Sequence, residues 1–490
     1  MSTPSLHRPL PLASVPHWDM EVDVAIVGFG AAGACAALEA ARAGARTAIF
    51  ERSGGPGGAS ALSGGEIYLG GGGGTDVQRA AGFADATEDF ETYLKASNAP
   101  YGDAEKYALY ARSALDHFAW LKAMGVPYKG TYLPGKIIEP TTDDTLIWSG
   151  SEAAAPFCDL AQATPRGHVV QHVGWGGGKL LMKVLAARVG EAGIDVRANA
   201  RATGLIADGA QIVGLVVRIE NRDVHVRAHR GVVLAAGGFC MNRTMLERYA
   251  PQALALNDPI GVVDDGAGIM LGVGAGGDAI HMDQFFTTCP WTIPEPLSQG
   301  VFVNVRGQRF INEDCYHGRV SRTAIDQPGG KVYLLVDASA FARPIDAARI
   351  SLAATGETWE DVERELALPE NTLAATMAFY NQHAAEGRDP LFGKRPPILR
   401  PLAEAPFAAF ELGFAGSYFS FFTLGGLRTS VDGEVLDRAG AAIPGLFAAG
   451  RTTSGLPASG YGYSSGLSLA DCTFFGRRAG AKAAGSAAKE

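Results

Sequence analysis

The segment from Val22 to Glu51 constrains this chain more than any other. Val22–Val27 (VDVAIV) is a short apolar run suited to a strand buried on both faces. It leads directly into Gly28-Phe29-Gly30-Ala31-Ala32-Gly33 and an alanine-rich helix over Ala34–Ala43, closed by Gly44. Arg46–Phe50 follows as a second strand and ends at Glu51, 18 residues past Gly33. Strand, G-x-G-x-x-G turn, helix, strand and acid together form a dinucleotide-binding βαβ unit. Gly28 allows the tight turn, Gly30 lets backbone approach a pyrophosphate, and Gly33 lets the helix pack on the strand. The helix start, with Ala31 and Ala32, then meets the phosphate charge. Glu51 is placed to hold a ribose hydroxyl.

Two other glycine patterns fail the same context test. Gly272, Gly274 and Gly277 follow a helix-like segment, Ala267–Leu271, so they read as a helix C-terminal turn. Gly174–Lys179 (GWGGGK) has Leu180 where a phosphate loop needs Ser or Thr for magnesium. It reads as a glycine turn opening a helix over Lys179–Val189. One dinucleotide is expected.

Composition narrows the class. With 47% hydrophobic and 19% charged residues, the 490-residue chain has ample core and is not disordered. A net charge of −9 without basic runs excludes a nucleic-acid binder. Six cysteines lie far apart with no C-x-x-C pair, which excludes the usual zinc and iron–sulfur spacings and a disulfide framework. No metal site is expected. The first twenty residues lack an apolar h-region, and no apolar run reaches the ~20 residues of a membrane span. No transmembrane segment and a cytoplasmic location are expected.

Further strands are expected at Ile194–Ala198, Ile212–Val217 and Gly231–Ala236, and a late strand and turn lie in Pro444–Arg451. A helix over Gly466–Phe475 has its start poised to face the cofactor. The loop after Glu51 carries Arg52, Gly57, Gly58, Ala59, Ser60, Ser63, Gly64 and Gly65, which suits a cofactor longer than its adenosine half. The fold class is therefore α/β, with a discontinuous Rossmann-like nucleotide domain over 18–284 and 414–490. Residues 285–413, richer in proline and aromatics, form an inserted α+β capping domain. It is expected to hold strands Val301–Val305 and Arg309–Ile311 and helices at Trp359–Leu366 and Asn371–His383. The tails, Met1–Pro16 and Ala481–Glu490, are expected to be loose.

Taken together, Gly28–Gly33 with Glu51, Gly57–Ser60, Ser63–Gly65, Ala235–Gly238, Asp265-Gly266, Val303–Glu313, Ile443–Arg451 and Gly466–Asp471 resemble the fumarate reductase/succinate dehydrogenase-like flavoprotein family. These segments stand in the family's order over nearly the whole chain. The resemblance implies FAD, with Ala236, Gly237, Asp265, Gly450, Gly466, Leu467, Ser468 and Leu469 among its contacts, and a capping domain that closes over the flavin. Covalent members carry a histidine after the ribose acid; Ser53–Gly74 contains none, so noncovalent FAD is expected. Dicarboxylate-reducing members follow R-F-x-N-E with a proton-delivering arginine. Here Arg309–Glu313 is followed by Asp314-Cys315-Tyr316-His317-Gly318-Arg319, which places His317 at that position beside Tyr316. The family's carboxylate-binding arginine is replaced by Tyr463, and Gly455–Ser459 offers no histidine. A pocket without these cations disfavours a dianionic substrate. The tyrosine-bearing segments Ser459–Gly466 and Asp314–Arg319 are most similar to the 3-ketosteroid Δ4-(5α)-dehydrogenase branch. That branch implies an apolar 3-ketosteroid substrate and an external electron acceptor of unspecified identity.

Forming a double bond beside a ketone needs a donor to the carbonyl, a base for the α proton and a hydride acceptor. Phenols suit the first two tasks without a cationic pocket. Tyr463 is the first candidate and Tyr316 the second, with the acid and base roles open between them. Ser465 is placed to relay the proton or to tune Tyr463. Tyr461, Gly466 and Phe421, the last in the aromatic run Tyr418–Phe422, are expected to line the substrate slot. The alternatives are a Δ1-dehydrogenase, a reductase of another enoate, and an electron-transfer subunit.

Overall fold

The computed structural model of the chain describes residues 7–485. Its framework is a nine-stranded sheet. Strand β1 (Met20–Val27) is followed by helix α1 (Ala31–Arg42) and strand β2 (Thr47–Phe50), and β1 and β2 pair in parallel from Val24↔Thr47 to Val27↔Phe50. Val24, Ala25 and Ile26 have no exposed surface, as a central parallel strand covered on both faces requires. Next come β3 (Asp195–Arg197), which pairs with β2, and an antiparallel meander of β4 (Arg201–Asp208), β5 (Gln211–Ile219) and β6 (Arg222–Leu234). The long β6 lies along β1 on one side. On the other it pairs first with β5 and then, from Val232↔Leu446, with the late strand β8 (Ala442–Ala448). Chain from both ends thus completes one sheet.

Residues 301–413 contribute a separate antiparallel sheet in the order Val301–Asn304, Lys331–Val336, Phe407–Gly413, Ser351–Gly356. A smaller sheet joins Asp258–Pro259, β7 (Ser420–Thr423) and Phe285–Thr288, so its strands straddle the boundaries expected near 285 and 413. Helix α2 (His317–Ile325) packs on this sheet, and helix α3 (Leu467–Ala483) crosses α1.

Two local expectations are corrected. Arg309–Ile311 is not a strand; it makes only the single bridge Val303↔Arg309. The Arg309 guanidinium is instead buried between Glu313 and Asp389, and satisfying that charge turns the chain out of the ladder. Ala481–Ala483 is not a loose tail but the last turn of α3, with Ala481 and Ala483 buried. At the other end Leu10–Pro11 pairs with Ile206 and Ala207. Residues 1–6 and 486–490 lie outside the described residues.

The α1–α3 contact explains the small residues of both helices. Ala31, Ala32, Gly33, Ala34, Ala36, Ala37 and Ala40 of α1 are buried, and α3 presents Gly476 and Gly480 to Ala32 and Ala36. A Cβ added at Gly480 would lie 2.0 Å from the Ala36 carbonyl oxygen, so the helices touch backbone to backbone. Gly480→Ala is expected to force them apart and cost about 1–3 kcal/mol, read as a lower thermal midpoint together with weaker cofactor retention. An unchanged midpoint and unchanged retention would refute this account of the contact.

Candidate active site

The starts of α1 and α3 and the end of β2 open on one cavity of about 440 Å³. Two glycines shape its first corner. Gly28 has φ +102°, and a Cβ on Gly33 would lie 2.0 Å from the Gly28 carbonyl oxygen. The turn therefore closes tightly enough to aim the α1 N-terminus at the cavity. Glu51, buried at the end of β2, accepts hydrogen bonds from the Phe29 N–H at 2.7 Å and the Ser53 N–H at 2.6 Å. Its carboxylate thus locks the glycine turn to the loop after β2. Ser60 Oγ accepts the Ala31 N–H at 3.1 Å.

Most of the residues expected from the sequence meet on this wall. Gly28, Gly30, Ala31, Ala32, Glu51, Arg52, Gly58, Ala59, Ser60, Ser63, Gly64, Ala236, Gly237, Asp265, Gly466, Ser468 and Leu469 all line it. Gly33, Gly57, Gly65, Gly450 and Leu467 do not; they stand one layer behind. Gly57 donates its N–H to the Phe29 carbonyl, Gly65 abuts Gly177, Gly450 abuts Ala32, and Leu467 is wholly buried in the core. Their job is close packing behind the lining residues.

At the far end the two phenols face each other, with ring centroids 6.4 Å apart. Tyr316 is the residue just before α2, and its hydroxyl donates to Ser465 Oγ at 3.1 Å. Tyr463 donates to Ser468 Oγ at 3.1 Å. Ser465 therefore serves Tyr316 and not Tyr463, because Tyr463 is turned toward the first turn of α3. Burial raises both phenols. Tyr463 is pushed up to about 12, a rise that its hydrogen bonding to Ser468 opposes, while Tyr316 is driven well above its ordinary value. Both are neutral at pH 7. His317 beside them is pushed down to about 3 by burial, so it too is uncharged. Its Nδ1 is hydrogen-bonded to Thr288 Oγ1 at 2.5 Å.

Tyr461 and Phe421 are corrected: neither lines the cavity. On β7 side chains alternate, so Ser420 and Phe422 face the cavity and Phe421 faces away. Tyr461 points outward, its hydroxyl donating to Asp326 at 2.6 Å and its ring lying under the Arg322 guanidinium. Their places are taken by Phe422 and by Phe286, whose ring centroid is 4.3 Å from that of Tyr463. Trp175 reaches the wall from the glycine turn at 174–177, and nothing in the sequence marks it as a lining residue.

Charge is arranged with equal care. The arginines on the cavity wall are Arg52, Arg201 and Arg451 among the described residues. Arg52 pairs with Asp265, Arg201 lies 3.5 Å from the same carboxylate, and Arg451 pairs with Asp264 at 3.2 Å. None is a free cation at the phenol end. Glu66, directly after Gly64-Gly65, is a lining residue that the sequence reading missed, although an acid opening the apolar run EIYL was the available signal. Its carboxyl crowds Gly64 together with that of Glu139: a Cβ there would lie 2.5 Å from Glu66 Oε1 and 2.8 Å from Glu139 Cδ. Burial, with the Glu139 charge adding to it, pushes Glu66 up to about 8.

A Rossmann-like sheet with a helix start and a buried acid on one elongated cavity defines a dinucleotide-binding protein. The FAD binding domain family model matches residues 23–467. The chain belongs to that family and, within it, to the fumarate reductase and ketosteroid dehydrogenase flavoproteins: it is an FAD-dependent oxidoreductase acting on CH–CH bonds. The crystal structure of 3-ketosteroid Δ4-(5α)-dehydrogenase from Rhodococcus jostii RHA1, in complex with 4-androstene-3,17-dione, superposes with a TM-score of 0.91. It is 40% identical and covers 97% of this chain and 99% of its own. A 3-oxo-5-alpha-steroid 4-dehydrogenase from Comamonas testosteroni is 27% identical over 88% of this chain and 93% of that protein. A probable fumarate reductase from Shewanella frigidimarina is 28% identical over 94% of this chain and 74% of that protein. Among the described residues no helix is long and apolar enough to cross a membrane.

The raised Glu66 carboxyl makes a signed prediction. Folded, it keeps its proton up to about pH 8; unfolded, it ionises near ~4.3. Between those values the native state holds the extra proton, so stability falls as pH rises. Relative to Glu66→Gln, wild-type apoprotein should lose up to about 1.4 kcal/mol per pH unit across that window, measured by denaturant unfolding at several pH values. Parallel profiles for the two proteins would exclude it.

Proposed function

We propose that the protein is a 3-ketosteroid Δ4-(5α)-dehydrogenase that holds FAD noncovalently. Glu51 holds the adenosine ribose, the α1 start at Gly30–Ala32 receives the pyrophosphate, and Gly466–Leu469 at the start of α3 meets the flavin. The loop 53–74 offers no histidine for a covalent link. Bound FAD supplies the hydride acceptor for the substrate's β carbon. The chain's own residues handle the carbonyl and the α proton.

The observation that carries this reading is a pair of buried, neutral phenols at a cavity end without an unpaired cation. A dicarboxylate needs at least one such cation to repay its desolvation, whereas Phe286, Phe422 and Ile260 on the same wall suit a fused apolar ring system. The phenols differ in a useful way. Tyr463, hydrogen-bonded to Ser468 at the α3 start, is raised less than Tyr316 and is the stronger acid of the two. It donates to the ketone oxygen as enolate charge develops there. Tyr316 takes the α proton as it passes its own phenolic proton to Ser465 Oγ, and Ser465, half-buried on the cavity wall, hands its hydroxyl proton on to water, so no free phenolate is required at neutral pH. The family match to fumarate reductases keeps a second substrate class, other activated alkenes, as the competing outcome.

Anaerobic addition of a 5α-3-ketosteroid to the purified flavoprotein is expected to bleach the flavin. Failure to bleach with any ketosteroid, with reoxidation of reduced enzyme by fumarate, would overturn the steroid reading. Tyr463→Phe keeps the ring and its packing on Phe286 but removes the carbonyl donor. Single-turnover flavin reduction should slow about 10²–10³-fold with an unchanged flavin spectrum, and near-normal reduction would remove Tyr463 from the mechanism. Glu51→Ala should lower FAD occupancy of the purified protein, because the ribose loses its acceptor and the glycine turn its lock; full occupancy would contradict that role.

A further inference from the structure

The acting groups come from distant parts of the chain. Tyr316 stands at the start of α2, and Ser465 stands just before the start of α3. Their 3.1 Å hydrogen bond needs those two helix starts fixed relative to each other, yet no backbone hydrogen bond joins them among the described residues. A third segment does. Ser151 Oγ accepts the Tyr316 N–H at 3.0 Å, and two residues earlier the Ser149 carbonyl accepts the Ser465 N–H at 2.7 Å. Ser149, Ser151 and Glu152 are all nearly fully buried.

The segment is itself held. Tyr93, on the helix Thr87–Asn98, accepts the Ser151 N–H at 2.8 Å through its hydroxyl oxygen and lies 2.9 Å from Ser464 Oγ. With its oxygen already accepting, the Tyr93 proton is free to go to Ser464. Asn98, at the end of the same helix, accepts the Ala458 and Ser459 N–H groups through Oδ1. Glu152 accepts the Gly150 N–H at 2.9 Å and the Tyr68 hydroxyl at 2.6 Å, so the turn at 149–152 is pinned at both ends.

We infer that residues 149–152 are a positioning clamp, in which Ser151 sets Tyr316 and the Ser149 carbonyl sets Ser465 so that the two hydroxyls meet. This rests on the proton-relay reading above. Ser151 touches neither cofactor nor substrate in this scheme; it acts through the Tyr316 backbone. A polar side chain buried for this purpose, and not for general stability, makes a particular pattern of effects.

The test uses the FAD-loaded enzyme and the variants Ser151→Ala, Ser151→Thr and Tyr316→Phe. Ser151→Ala should slow single-turnover flavin reduction by a 5α-3-ketosteroid between about tenfold and a hundredfold, with steroid affinity and flavin content unchanged. Ser151→Thr, which keeps the acceptor oxygen, should restore the rate. Adding Ser151→Ala to Tyr316→Phe should cost nothing further, because the clamp's target is already gone. An unaffected rate in Ser151→Ala, or a full additive loss in the double variant, would overturn the clamp. A crystal structure of each holoenzyme variant gives a readout independent of substrate. The Tyr316–Ser465 hydrogen bond should persist in Ser151→Thr and be lost in Ser151→Ala. If it persists in Ser151→Ala the clamp is wrong; if it is lost while wild type is not bleached by steroid, the clamp stands and the steroid assignment fails.

Discussion

Everything at this site hangs on the close crossing of α1 and α3. Each helix starts at the cavity, α1 after the glycine turn and α3 after Gly466, and each aims the positive end of its backbone dipole there. Two helix starts can serve one elongated ligand only if their axes approach closely, and the Ala/Gly surfaces permit that approach. β8 extends the constraint. By pairing with β6, which itself lies along β1, it brings the chain's end back to its beginning. Phe286, Tyr316 and His317, from the chain between these ends, complete the cavity wall.

Electrostatics divides the cavity into two ends. Near Glu51 the wall is charged but balanced, with Arg52 and Arg201 sharing Asp265. Near the phenols Arg451, over the Phe422 ring, is balanced by Asp264, and burial keeps the other groups neutral: Tyr316 and Tyr463 stay protonated and His317 stays unprotonated. Glu66 belongs to the same regime, since a carboxylate facing Glu139 in a buried setting is costly. Such an end imposes little desolvation cost on an apolar ligand and leaves proton movement to short hydrogen bonds.

The residues missed from the sequence share a physical cause. Phe421 and Phe422 are adjacent aromatics in one run, and only the pleat of β7 decides which faces the cavity. Tyr461 and Tyr463 sit two residues apart in a glycine-rich loop; with no regular period, their opposite directions follow from contacts with Asp326 on one side and Ser468 on the other. Ser151 and Tyr93 carry no motif at all. Their hydrogen bonds join residues separated by long stretches of chain, which no local pattern encodes.

What the sequence determined alone is the part written in local rules. The βαβ unit, its glycine turn, the acid at the end of β2 and the helix at Gly466 each depend on residues within one or two turns of one another. The two tyrosines that the fold brings face to face, Tyr316 and Tyr463, were also legible as candidates, because residue identity needs no tertiary information. Tertiary structure alone decided which serine serves which phenol, how far burial raises Glu66, and which side chains form the slot. Those properties depend on orientation and on the surroundings of buried groups, and both are set by chain segments that meet only after folding.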